Sequence, residues 1–125
     1  MDYSKFINAV IKQDNRNSFS KSYCKIANIN KGFEEFYNQY VPIDVEIVLN
    51  DLTSIKLYDV EQFDELRQNY NLNNEHIVFA TREGDPIALY QGKIITFNHS
   101  TKDPIFEIIA DSFEKYIVDI LENMQ

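Results

Sequence analysis

Three short apolar runs follow one another in residues 77–97, which read IVFATREGDPIALYQGKIITF. The runs IVFAT, PIALY and KIITF are rich in β-branched and aromatic residues, and the polar pieces REGD and QGK separate them. Short strands joined by brief turns predict an antiparallel meander, because parallel strands need a much longer crossover. Gly84 and Gly92 fit the two turns, where glycine supplies permissive backbone geometry.

A further strand and a closing helix are predicted after the meander. PIFEII, residues 104–109, has the composition of a strand beyond the polar loop HSTKD. Residues 110–125, ADSFEKYIVDILENMQ, have apolar side chains at helical spacing, with Asp111 as the expected N-cap and Glu114 as its capping-box partner. The apolar stripe consists of Phe113, Tyr116, Ile117, Ile120, Leu121 and Met124. We expect it to cover one face of the sheet.

The first thirty residues contain one clear helical pattern and one ambiguous segment. Apolar residues recur at helical spacing in residues 3–12, with Asp2 or Ser4 near the cap. Residues 19–29, FSKSYCKIANI, fit either a helix or a strand. Within this segment Cys24 is interpreted as a small buried hydrophobe, and a reactive thiol is the alternative.

Between this segment and the meander the pattern changes from helical to extended. Residues 31–40, KGFEEFYNQY, predict an aromatic-faced helix with Asn30 as its N-cap and Pro42 just past its end. Residues 42–49, PIDVEIVL, alternate apolar and polar side chains, which is typical of a strand with one wet face. After the turn NDLTS, SIKLY predicts a second short strand.

Helical spacing returns in residues 59–70, DVEQFDELRQNY, where Asp59 and Gln62 form a capping-box pattern. The outer face of this helix is acidic, through Glu61, Asp64 and Glu65. These carboxylates are the candidate partner-binding residues, since they could meet a basic surface on another protein. The alternative is the ordinary solvated face of an amphipathic helix.

Length and composition indicate one domain spanning residues 1–125. The chain has 125 residues, of which 44% are hydrophobic and 14% aromatic, enough for a genuine core. The predicted fold is α+β: a mainly antiparallel sheet of about five to six strands with helices packed on it. The apolar runs are far shorter than a membrane span, and MDYSKFINAVIKQ is unlike a secretory signal. We therefore expect a cytoplasmic protein with no membrane partner.

Charge is unevenly distributed along the chain. Residues 1–32 hold six Lys/Arg against two Asp/Glu, a net +4, whereas residues 33–125 hold six against eighteen, a net −12. The strongly acidic part, residues 33–125, would repel the phosphate backbone of DNA or RNA, so nucleic acid is not an expected partner. A basic protein is easier to accommodate, although acidity can also serve solubility alone.

The usual catalytic motifs are absent from the sequence. It contains no G-x-S-x-G, H-E-x-x-H, Walker-type or G-x-G-x-x-G pattern and no paired cysteine motif. His76 and His99 lack a third ligand at a recognisable spacing, so we expect neither a metal nor a cofactor. The twenty Asp and Glu residues leave a hydrolytic carboxylate pair open as one alternative.

The chain resembles the SUKH superfamily, which includes yeast cell-wall synthesis regulators and many bacterial immunity proteins. The resemblance covers roughly residues 30–125 and lies in SIKLYDVEQFDEL, VFATREGDPIALYQGKIITFNHS and ADSFEKYIVDIL, in that order. Its most telling pieces are Gly84-Asp85 followed by alternating Ile87 and Leu89, and Asp111-Ser112-Phe113 at the start of the last helix.

The resemblance implies an α+β domain that acts by binding and carries no catalytic residues. Similar bacterial proteins typically neutralise a cognate toxin, often a nuclease. The leading hypothesis is therefore a non-enzymatic immunity protein that binds a toxin, and a basic nuclease-like domain is the toxin that its acidic charge would suit. A regulatory or scaffold domain of the cell-wall regulator kind is the second hypothesis. The third is a small hydrolase with an unrecognised carboxylate pair, which predicts a pocket with converging acids of perturbed pKa.

Overall fold

The computed structural model describes residues 1–21 and 25–125. The helices in these residues are α1 (Ser4–Gln13), α2 (Lys31–Tyr37), α3 (Phe63–Asn69) and α4 (Phe113–Glu122), with a 3-10 turn at Val60–Gln62. The strands there are β1 (Ser18–Ser20), β2 (Val41–Ile43), β3 (Val45–Val48), β4 (Ser54–Leu57), β5 (Ile77–Arg82), β6 (Asp85–Tyr90), β7 (Lys93–Thr96) and β8 (Glu107–Ala110).

The described strands form two antiparallel sheets. Strands β3 to β8 pair in chain order as a six-stranded sheet, and β1 pairs with β2 in a separate two-stranded one. The hairpin turns after β5 and β6 contain Gly84 and Gly92, with φ of +86° and +78°, in the left-handed region that favours glycine. The predicted α+β class and antiparallel meander are confirmed.

Helix α4 covers one face of the six-stranded sheet, as its stripe predicts. Phe113, Tyr116, Ile117 and Ile120 are buried, and Leu121 and Met124 are partly buried against the same core. Helices α1 and α2 add an aromatic cluster beneath α4. Its tightest contact with α4 joins Phe33 and Phe113, whose ring centroids lie 5.2 Å apart.

The predicted cap of α4 is wrong by one residue. Ser112 is the N-cap, and its side chain accepts a hydrogen bond from the backbone N–H of Lys115 at 3.1 Å. Ser112 has the extended backbone that an N-cap requires, so its hydroxyl, not the carboxylate of Asp111, reaches the first turn.

The predictions for the other helix starts hold more closely. Asn30 caps α2, accepting from the backbone N–H of Phe33. Asp59 and Gln62 form the predicted capping box, although it opens a 3-10 turn that then continues as α3. At α1, Asp2 accepts from the backbone N–H of Ser4 at 2.8 Å.

The single strand predicted for residues 42–49 is wrong, because the chain breaks at Asp44. This residue has φ of +51°, which interrupts the pleat and sends β2 and β3 to different sheets. The ambiguous residues 19–29 begin in β1, and residues 25–30 are irregular. The interpretation of Cys24 lies outside the described residues. The strand predicted at residues 104–109 is observed as β8, beginning three residues later.

Helix α3 provides a smaller cluster on the opposite face of the sheet. Val78, Ala88 and Ile95 are buried there, and Leu66 and Tyr70 pack against them. None of the helices in residues 1–21 and 25–125 is both long and apolar enough to cross a membrane.

Candidate functional site

The first edge of the six-stranded sheet is closed by side-chain amides. The Gln13 amide donates to the backbone oxygen of Val48 at 2.8 Å and accepts from its N–H at 2.9 Å. The amide of Asn17 makes the same pair of bonds to Glu46, each at 2.9 Å. Gln125 adds a backbone bond to Val48. These bonds occupy the backbone groups of β3 that another strand would use.

The last edge, the outer side of β8, is open. Strand β8 pairs with β7 alone, and no side chain of the described residues hydrogen-bonds to its backbone. Three large apolar side chains stand beside this open edge: Ile105, Phe106 and Ile108 are 86%, 48% and 56% exposed. An unpaired strand edge flanked by exposed apolar side chains is a template for pairing with another chain.

A groove runs beside the open edge on the α3 face of the sheet. This edge groove has a volume of about 380 Å³ and includes His76, Tyr90, Lys93, Phe106 and Ile108. The ring of His76 stacks on that of Tyr90, with centroids 4.4 Å apart, and lies 5.7 Å from that of Phe106. The aromatic stack gives the groove a firm apolar wall.

A second concavity, the α4 cleft, lies between the end of α4 and the sheet. Strand register explains its sheet wall: Ile55 pairs with Arg82, and Arg82 pairs with Asp85, so the three side chains share a face. Tyr116 and Asp119 face them from α4, and the cleft has a volume of about 610 Å³.

One wall of the α4 cleft is organised around Arg82. Its guanidinium donates to Asp51 at 2.6 Å and to the hydroxyl of Thr53 at 3.0 Å. The hydroxyl and backbone N–H of Thr53 also donate to Asp51 and, with Arg82, lower the pKa of that carboxyl. Asp51 is therefore held ionised, which suits a group that binds a cation, whereas a general acid needs a raised pKa.

Negative charge dominates this cleft. Its described lining carries four carboxylates, Asp51, Glu83, Asp85 and Asp119, and one guanidinium, Arg82, for a formal charge of −3. The ammonium of Lys115, 2.8 Å from Asp119, brings the local sum to −2. His99 donates its backbone N–H to Asp85 at 3.1 Å, and its ring nitrogen Nδ1 lies 2.6 Å from the same carboxylate.

Tyr116, on the helix wall of the cleft, carries a hydroxyl that has no hydrogen-bond partner within residues 1–21 and 25–125. Tyr116 is 6% exposed, and its hydroxyl finds no donor or acceptor among the described residues. Burial raises the pKa of this hydroxyl, so it stays neutral and can donate or accept. Arg82 and Asp119, both lining residues, are the charges that act on it.

The predicted acidic residues lie elsewhere, on the surface of the 3-10 turn and α3. Glu61, Asp64 and Glu65 are all exposed, and a carboxylate oxygen of Asp64 lies 3.8 Å from Nε of Arg67. Their partner-binding role stays a prediction. Of the two histidines, His76 is buried beside Asn73 in the wall of the edge groove, and His99 joins the loop after β7 to Asp85.

Sequence reasoning singled out Asp85 and Ile87 for the family resemblance and Tyr116 for the helix stripe, but it predicted neither the cleft nor the open edge. Arg82 and Asp85 flank the two-residue turn Glu83–Gly84, so their pairing was readable from the hairpin. The approach of Asp51 and Asp119 depends on how α4 crosses the sheet. No local sequence pattern predicts how α4 crosses the sheet.

No protein-family model, curated protein or solved structure matches the chain. The resemblance to the SUKH superfamily therefore stays a prediction.

Proposed function

We propose that this chain is a non-enzymatic binding domain that neutralises a cognate basic toxin, in the manner of SUKH immunity proteins. The observation that carries the proposal is the open edge of β8, with Ile105, Phe106 and Ile108 exposed beside it. The partner contributes an extended segment that pairs with β8. The toxin would perform the chemistry, and this chain would mask it inside the producing cell.

The contrast between the two sheet edges supports a binding role for β8. Side-chain amides of Gln13 and Asn17 block the edge at β3, as stable domains commonly do to avoid association. The edge at β8 has no such protection within the described residues. Backbone pairing at an open edge provides affinity, and neighbouring pockets such as the edge groove provide selectivity.

Charge favours a basic partner over a second copy of the same chain. The net charge is −8, so two copies repel one another, while a basic domain is attracted and steered to the surface. The exposed acidic residues Glu61, Asp64 and Glu65 add to this field.

Co-expression with the neighbouring toxin gene tests the proposal. The wild-type chain should form a complex and protect cells from killing. Ile108→Lys places an ammonium among apolar contacts and should weaken the complex by about tenfold or more, as loss of a central interface residue does. The matched control is Ile11→Lys on α1, also an exposed isoleucine, at 39% against 56% for Ile108; it should bind like the wild type.

Other outcomes would contradict the proposal. If the chain neither forms a complex with the toxin nor protects cells, the immunity role is rejected. If toxicity is unchanged and the chain binds a host protein instead, a regulatory domain is favoured. Sedimentation that shows dimers lost on Ile108→Lys would assign the open edge to a second copy.

A further inference from the structure

We propose that the α4 cleft binds the cationic side chain of an arginine or lysine from a partner protein. This inference goes beyond the proposed function, because the cleft lies on the α4 face of the sheet and is separate from the open edge. Its ligand is defined by charge and hydrogen bonding, whereas β8 offers backbone pairing.

The charge balance of the cleft selects a cation. Arg82 is committed to Asp51 and Thr53 along one wall, so its charge is locally compensated. Glu83 accepts from the backbone N–H of Ser54, and Asp85 bonds to His99, but neither has a lysine or arginine partner among the described residues. A cationic group entering between them and Asp119 would replace water with charge-assisted hydrogen bonds, which are about twice as strong as neutral ones.

Tyr116 provides the second, independent indication of a ligand. A buried hydroxyl without a partner costs free energy, and such groups are uncommon in folded proteins. Tyr116 lines the cleft from α4, and the charges of Arg82 and Asp119 act on its buried hydroxyl. A neutral hydroxyl can accept an N–H from a guanidinium or ammonium group, which would satisfy it.

The remaining lining fits the stem of a long cationic side chain. Ile55 and Ile87 from the sheet and Ile120 from α4 form an apolar floor. Lysine and arginine bury their aliphatic stems on such surfaces while the charged head reaches polar groups. Arginine is the better fit, because its planar fork can bond a carboxylate and a hydroxyl together.

Nuclear magnetic resonance titration of the 125-residue chain tests the inference. The probe is the tripeptide amide acetyl-alanyl-arginyl-alanine, and the control replaces its arginine by glutamine. The arginine peptide should shift the backbone amide signals of Thr53, Arg82 and Thr96, which line the cleft. The glutamine peptide should leave them unchanged.

Matched charge variants separate cleft binding from general attraction. Asp85→Asn with Asp119→Asn should weaken binding of the arginine peptide by about fivefold or more, the loss expected from removing two charged partners. Glu61→Gln with Asp64→Asn changes the net charge equally, outside the cleft, and should weaken it less than about twofold. Tyr116→Phe should weaken it by about threefold while the thermal midpoint is retained, because only one hydrogen bond is lost.

Three results would overturn the inference: equal shifts with the glutamine peptide, no shift in the cleft, or equal weakening by both double variants. If a toxin complex forms through β8 but the arginine peptide does not bind in the cleft, this inference is rejected and the proposed function is retained. Peptide binding in the cleft without any toxin complex would support it and reject the immunity role.

Discussion

The side-chain amide of Gln13 holds both backbone groups of Val48, donating to its oxygen at 2.8 Å and accepting from its N–H at 2.9 Å. Through this amide, helix α1 supplies the hydrogen-bond donor and acceptor that a neighbouring strand would offer to β3. The two residues are 35 positions apart in sequence.

Removing this amide should destabilise the domain and expose the edge. Gln13→Ala leaves the N–H and oxygen of Val48 without their side-chain partner, and we expect a loss of about 1–3 kcal/mol in the free energy of unfolding. Urea unfolding measures it. Gln68→Ala, an exposed glutamine in α3, is the control and should change stability by less than about 0.5 kcal/mol. Equal stability of the two variants would show that the amide does not protect β3.

Helix α4 should be indispensable for folding. Ile117 is 1% exposed, and Ile117→Ala should lower the free energy of unfolding by about 2–5 kcal/mol, because it leaves a cavity under the helix. Val118→Ala, at a half-buried position on the same helix, should cost less than about 1.5 kcal/mol. Truncation after Ala110 removes the whole stripe, and a cooperative melt of that chain would contradict the assigned role of α4.

Two buried tyrosines should respond oppositely to loss of their hydroxyls. Tyr3 donates to the backbone oxygen of Gly32 at 2.8 Å, so Tyr3→Phe should cost about 0.5–1.5 kcal/mol. The Tyr37 hydroxyl is buried with no partner among the described residues, so Tyr37→Phe should be neutral or stabilising. Thermal and urea unfolding would compare them, and a larger loss at Tyr37 would show that its hydroxyl is satisfied.

Alkaline pH should destabilise the fold through the ionisation of buried tyrosine hydroxyls. Burial raises the pKa of Tyr37 and of Tyr116 above the ordinary value of 10.0, so the unfolded chain loses these protons first. Their contribution to stability is therefore complete below about pH 10 and falls as pH rises further, by about 1.4 kcal/mol per pH unit for each hydroxyl. Urea unfolding between about pH 9 and pH 11 would measure it.

The double variant Tyr37→Phe with Tyr116→Phe is the comparison for this pH series. Lysines titrate in the same range in both chains, so the difference between the two slopes reports the tyrosines alone. Parallel slopes would contradict the predicted linkage.

Several elements were predictable because their signals are local. The meander follows from apolar runs separated by Gly84 and Gly92, and the stripe of α4 follows from helical spacing. The N-cap of α4 was predicted one residue too early, because Asp111 and Ser112 are both favourable N-cap residues. The extended backbone of Ser112 makes it the cap. No local pattern in PIDVEIVL predicts the positive φ of Asp44.

The sequence by itself determined the α+β class, the antiparallel meander of residues 77–97, the amphipathic last helix and an acidic net charge, because these depend on residue type and short-range periodicity. Only the tertiary structure decided which sheet edge stays open and which carboxylates line the α4 cleft with Arg82 and Tyr116. Those outcomes depend on contacts between distant segments, such as Gln13 with Val48 and Asp51 with Arg82. Packing the helices on the sheet creates these contacts, and no sequence period encodes them.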